Sequence, residues 1–104
     1  MKEITVQQLK EMQDNKEDFQ LIDVREPHEF ESANLGGELI PLATVLENKS
    51  KISKDKKVII HCRSGARSGN AVQLLEAELG HENLYNLKGG IMAYAAQVDN
   101  SLKV

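Results

Sequence analysis

One cysteine, Cys62, is followed directly by Arg63, and Arg67 comes after four intervening residues. The run reads His61-Cys62-Arg63-Ser64-Gly65-Ala66-Arg67-Ser68. The thiolate is the nucleophilic form of cysteine, and nearby cations lower the free thiol pKa of about 8.5. A lone free cysteine is most often a small buried hydrophobe. A packing cysteine, however, does not need two arginines, a glycine and two serines beside it. The grouping points to thiol chemistry on an anionic substrate.

Elements on both sides position this loop. Lys57-Val58-Ile59-Ile60-His61 is a continuous aliphatic run, the pattern of a strand buried on both faces. Ala71, Val72, Leu74, Leu75 and Leu79 then mark an amphipathic helix, with Gly80 as its stop. Cys62 therefore falls one residue past a strand's carboxyl end and shortly before a helix start. Open α/β sheets bind ligands at such points. The helix start offers unpaired N–H groups and a partial positive charge, which join Arg63 and Arg67 in an anion cradle. This cradle should lower the pKa of Cys62.

The other elements read as follows. Thr5 and Gln8 form a capping box before a helix running to about Met12. Gln20 to Val24 is a short strand, and Pro27 opens a single helical turn at Glu26–Phe30. Glu38 to Ile40 is another strand, Thr44 to Lys49 a further helix, and Lys49 to Lys57 a polar crossover. Leu84 to Leu87 is the last strand, Gly89-Gly90 a turn, and Ile91 to Val98 a closing helix. Alternating strands and helices mean an α/β fold with a mainly parallel sheet. At 104 residues, 40% of them hydrophobic, residues 1–104 are expected to form one domain and act as a monomer.

Composition excludes several classes of function. The net charge of −3 gives no basic face for nucleic acid. The longest aliphatic stretch, Val58–Ile60, is far short of the ~20 residues that span a bilayer, and no signal peptide is visible. A cytoplasmic protein with no membrane partner is expected. One cysteine rules out an intrachain disulfide and any metal site built on cysteine pairs, so no metal and no cofactor is expected.

Three ordered blocks resemble the rhodanese family of sulfurtransferases. They are the Cys62 loop, Leu21-Ile22-Asp23-Val24-Arg25-Glu26-Pro27-His28-Glu29-Phe30, and Asn86-Leu87-Lys88-Gly89-Gly90-Ile91. The resemblance implies a rhodanese-like fold over nearly the whole chain, with a mainly parallel central sheet of about five strands flanked by helices. It implies that Cys62 takes a sulfane sulfur from a donor such as thiosulfate, becomes a persulfide, and passes the sulfur to cyanide, a thiol or a protein. The loop Arg63, Ser64, Gly65, Ala66, Arg67 and Ser68 would bind the small anionic donor and stabilise the persulfide. Arg63 is the expected donor contact and Arg67 the residue that orients the loop. Asn34 to Leu42, with Val98 to Leu102, look more like the rhodanese domains fused to E1-like adenylating enzymes, which makes a sulfur-carrier protein a candidate acceptor. Two alternatives stand beside this reading. One is a non-catalytic rhodanese-like module that docks a partner. The other is a phosphatase of related fold, whose loop is longer by one residue.

The remaining polar residues are expected to support the site. Asp23 and Arg25 should pair at the mouth, with each other or with loop residues, and Glu26 should steady Arg67. His61 should face away from Cys62, because successive strand side chains point to opposite faces. His28 and His81 should be exposed, and Ala77, Leu74 and Ile91 should sit in the core. Glu76, Glu78 and Glu82 should form a solvated face.

Overall fold

A computed structural model describes residues 1–104. Its five strands are β1 (Glu3–Ile4), β2 (Gln20–Asp23), β3 (Glu38–Leu39), β4 (Val58–His61) and β5 (Leu84–Leu87). Its four α-helices are α1 (Val6–Asp14), α2 (Pro27–Ser32), α3 (Ala66–Leu79) and α4 (Gly90–Gln97). The strands form one sheet in the order β1-β5-β4-β2-β3, and every pairing is parallel. All four residues of β4 are buried at the centre, as its unbroken aliphatic run requires.

The two faces of the sheet bury different clusters. Ile22, Val24, Val58, Ile60 and Cys62 pack with Ala71, Val72 and Leu75 of α3, and with Val45 and Ile52. Ile59 and Leu87 pack on the other side with Val6, Leu9 and Met12 of α1 and Tyr94 of α4. Ile60 and Cys62 thus share one face, and Ile59 the other, as strand alternation dictates. Thr5 caps α1 in a reciprocal box with Gln8. Gly80 ends α3 in a left-handed conformation.

Four expectations need correction. No helix spans Thr44 to Lys49. Two single 3₁₀ turns, Leu42–Thr44 and Lys49–Lys51, flank a plain turn instead. The backbone closes i→i+3 turns here, from Thr44 N–H to the Pro41 carbonyl, Val45 to Leu42, Lys49 to Leu46 and Lys51 to Asn48, and these tight turns do not extend into an α-helix. His81 is buried, 4% exposed, because the chain folds inward towards β5 after Gly80. Ala77 is exposed, since the buried face of α3 runs through Ser68, Ala71, Val72 and Leu75. Glu78 and Glu82 are exposed, but Glu76 is half-buried on the flank of that face. Strand β1 has no counterpart in the sequence pattern, because two residues carry no alternation. It forms through its pairing with β5.

Candidate active site

Cys62 follows the last residue of β4, and α3 begins four residues later at Ala66. The loop between them curls around the sulfur. Gly65 N–H donates to Cys62 Sγ at 3.1 Å, and Ser68 N–H and Ser68 Oγ each lie 3.4 Å from it. Gly65 has φ +112°, a conformation L side chains rarely adopt, and this turns its N–H back to the sulfur. Cys62 is 1% exposed at the base of the loop, while Arg63, Ser64 and Ala66 are exposed.

Burial alone would push the Cys62 thiol up. Hydrogen bonds from the Ser68 hydroxyl and from the amides of Ser68, Gly65 and Ser64 outweigh it, and the net shift is down. The helix start thus acts through specific N–H donors. The arginines are less direct. Arg67 Nη1 and Nη2 lie 2.7 and 3.0 Å from the two carboxylate oxygens of Glu29 on α2. Arg67 holds the Glu29 carboxyl down to about 2. Glu29 takes the place expected of Glu26, which is exposed at the start of α2. The physical reason is helix geometry: Glu29, three residues in, accepts the Glu26 N–H at 3.0 Å and faces α3. The signal for Glu29 was its place three residues after the position preceding Pro27.

Asp23 and Arg25 lie together at the end of β2, both buried. Arg25 Nε lies 3.0 Å from each carboxylate oxygen of Asp23, and Nη2 is 2.8 Å from Oδ2. Arg25 Nη2 also donates to the Ala33 carbonyl at 2.7 Å, which ties α2's end to the sheet. His61 lies beside Asp23 in register, its Nε2 3.7 Å from Asp23 Oδ2. Its ring therefore sits on the sheet face opposite the Cys62 side chain. Burial lowers its pKa and keeps it neutral.

Two features went unread in the sequence. Asn86, buried in β5, touches both Ser68 and Gly65, and its signal was a lone amide in an otherwise apolar strand. Lys103 lines a cleft of about 170 Å³ with Arg25, Glu29, Ser32, Arg63 and Val104. No local pattern marked it. Within this cleft Arg25 and Glu29 are paired with Asp23 and Arg67, whereas Arg63 and Lys103 form no ion pair.

The pattern of the rhodanese-like domain matches residues 5–97. The chain belongs to the rhodanese-like family. It is 37% identical over 94 residues to a sulfurtransferase of Allochromatium vinosum, covering 89% of this chain and 87% of that protein. It is 44% identical over 80 residues to the uncharacterised protein YqhL of Bacillus subtilis, covering 76% of this chain and 63% of YqhL. It is 32% identical to the probable adenylyltransferase/sulfurtransferase MoeZ of Mycobacterium tuberculosis, covering 91% of this chain but 25% of MoeZ. A solved rhodanese-like domain protein from Staphylococcus aureus superposes with a TM-score of 0.83 at 30% identity, covering 100% of this chain and 98% of that one. The rhodanese-like fold is thus established, with its cradle at the carboxyl end of the central strand. No helix is long and apolar enough to cross a membrane.

Proposed function

We propose that this rhodanese-like protein is a sulfurtransferase with Cys62 as its persulfide carrier. The observation that carries the reading is the ring of donors on Cys62 Sγ, from Gly65 and Ser68. The Cys62 thiolate attacks the outer sulfur of a donor such as thiosulfate. The S–S bond of the donor breaks, sulfite leaves with the bonding pair, and Cys62 becomes a persulfide anion. Attack by a thiophile on the outer sulfur then restores the thiolate; with cyanide the product is thiocyanate. Donors held rigidly around an anionic sulfur stabilise it as an oxyanion hole stabilises oxygen.

Arg63 and Lys103, unpaired beside the loop, support an anionic donor. MoeZ is named an adenylyltransferase/sulfurtransferase, and the resemblance to rhodanese domains fused to adenylating enzymes makes a sulfur-carrier protein the acceptor we propose. A single free thiol suits a reducing compartment, and we place the activity in the cytoplasm. The test is mass spectrometry after thiosulfate treatment. The wild type should gain one sulfur, about +32 Da, and Cys62→Ser nothing, because the thiolate is the attacking group. Aryl phosphates should not be hydrolysed. Cys62-dependent phosphate release without sulfur uptake would overturn the reading in favour of a phosphatase, and no reaction of either kind would favour a docking module.

A further inference from the structure

The Ser68 hydroxyl lies between two acceptors. Its oxygen is 2.5 Å from Asn86 Oδ1 and 3.4 Å from Cys62 Sγ. A hydroxyl carries one proton and can satisfy only one of them at a time. The Asn86 amide is held in one orientation. Its Nδ2 donates to the Gly65 carbonyl at 3.1 Å, which leaves Oδ1 aimed at Ser68. Asn86 is 3% exposed, and its backbone N–H donates to the Lys2 carbonyl across the β1–β5 pairing. The Gly65 bond and near-complete burial thus hold Oδ1 towards Ser68, itself 0% exposed.

We propose that Asn86 is a positioning residue that draws the Ser68 hydroxyl proton away from Cys62 and so restrains ionisation of the thiol. The proposal rests on the reading of Cys62 as the nucleophile. With the thiol neutral, Ser68 donates to Asn86 over the shorter distance and turns a lone pair to the sulfur, where it accepts the S–H. With the thiol ionised, the sulfur has no proton to give and competes for the Ser68 proton. Winning it leaves Asn86 Oδ1 buried without a donor, which is costly. The amides of Gly65 and Ser68 face the sulfur in both states. The hydroxyl is the donor that rotates, and Asn86 sets its preference.

Charged groups around Cys62 do not reproduce this effect. They are Arg63 on the loop, Arg67 on α3 with Glu29 on α2, and Asp23, Arg25 and His61 at the ends of β2 and β4. Strand β5, helix α4 and the turn between them meet the loop through Asn86, Leu87, Gly89, Gly90, Ile91 and Met92, none of them charged. These groups stay in place in every variant below, so their contribution cancels in a comparison, and the charge that Asn86→Asp itself adds is measured by the part of its shift that persists in the Ser68→Ala background.

The experiment titrates the rate of Cys62 alkylation by iodoacetamide against pH. Asn86→Leu removes the competing acceptor and should lower the inflection by about half a unit, roughly a threefold change in the ionisation constant. In a Ser68→Ala background the same substitution should have no effect, because the proton it competes for is gone. Asn86→Asp, which keeps the shape of the side chain, should raise the inflection, and the rise should at least halve in the Ser68→Ala background. An unchanged or raised inflection in Asn86→Leu would overturn the proposal. So would equal shifts with and without the Ser68 hydroxyl, and the Asp series decides if the Leu variant fails to fold. Alkylation does not depend on sulfur transfer, so a failed thiosulfate reaction would strike the functional reading and leave this result standing on its own.

Discussion

Arg67 and Glu29 meet end on, with Nη1 2.7 Å from Oε1 and Nη2 3.0 Å from Oε2. The pair links the first turn of α3, which carries the cradle, to α2, which otherwise touches the sheet through Arg25 and the Ala33 carbonyl. Arg67→Ala should lower the melting temperature by up to about 5 °C, the scale of a partly exposed ion pair worth ~1 kcal/mol. It should also slow sulfur transfer from every donor, because the loop is held less firmly. Melting curves and rates with two donors check both outcomes.

The same pair gives a pH signature. Arg67 lowers the Glu29 carboxyl from 4.5 to about 2. A depressed carboxylate contributes stability that is fully present above its unfolded value and lost as pH falls through its folded one. The stability difference between wild type and Glu29→Gln should therefore be constant above about pH 5 and shrink steadily towards pH 2. Paired thermal melts across that range measure it. A difference that grows on acidification would contradict the assignment.

How legible this site was in the sequence depended on how each contact arises. The cradle was readable, because a buried aliphatic strand, a glycine and an amphipathic helix fix Cys62 by local pattern alone. The sequence alone points to Glu26 as the partner of Arg67 where the structure has Glu29, since neighbours at the start of a helix differ only in which way the first turn faces. Asn86 and Lys103 come from β5 and from the tail after α4, distant in sequence, and no local rule links them to the loop. Strand β1 is two residues long and owes its form to β5. From Leu42 to Lys51 the backbone closes i→i+3 turns, and the choice between these and an α-helix does not show in helix propensity.

Gly90 should tolerate no side chain. Its φ is +61°, and a Cβ there would press on the carbonyls of Arg63 and Cys62, with the Cys62 oxygen at 2.6 Å. The backbone of the loop and the start of α4 touch directly, as the Ile91 N–H to Cys62 carbonyl bond of 3.0 Å and the Met92 N–H to Arg63 carbonyl bond of 3.0 Å require. Gly90→Ala should therefore cost about 2 kcal/mol or more, combining left-handed strain with backbone displacement, and lower the melting temperature by about 8 °C or more. Gly36, also at positive φ but with nothing within 4 Å of a Cβ, should lose about half as much on the same change. A Gly90→Ala variant as stable as Gly36→Ala would show that the loop does not rest on α4.

The wild-type alkylation profile tests the cradle itself. Hydrogen bonds to the sulfur outweigh burial, so the inflection should fall below the free-cysteine value of about 8.5. Ser68→Ala removes one of these donors and should move the inflection up towards that value. An inflection above it in the wild type would mean that burial wins.

Arg63 and Arg67 should fail differently. Arg63 is exposed, forms no ion pair and lines the cleft beside the loop, while Arg67 is bound to Glu29. A lost charged hydrogen bond to a bound anion is worth roughly 1.5–3 kcal/mol, or about 10- to 150-fold in kcat/KM. Arg63→Ala should show a loss of that size with thiosulfate and a much smaller one with an uncharged persulfide donor. Its melting temperature should stay close to the wild type, since an exposed unpaired side chain supports little of the fold. Lys103→Ala should resemble Arg63→Ala in its dependence on donor charge, because both face the same cleft. Arg67→Ala should slow both donors alike and also melt earlier. Steady-state kinetics with the two donors, together with melting curves, separate the roles. If Arg63→Ala slows both donors equally, the cleft does not receive the anion, and if Arg67→Ala harms only thiosulfate, its guanidinium leaves Glu29 to hold the donor.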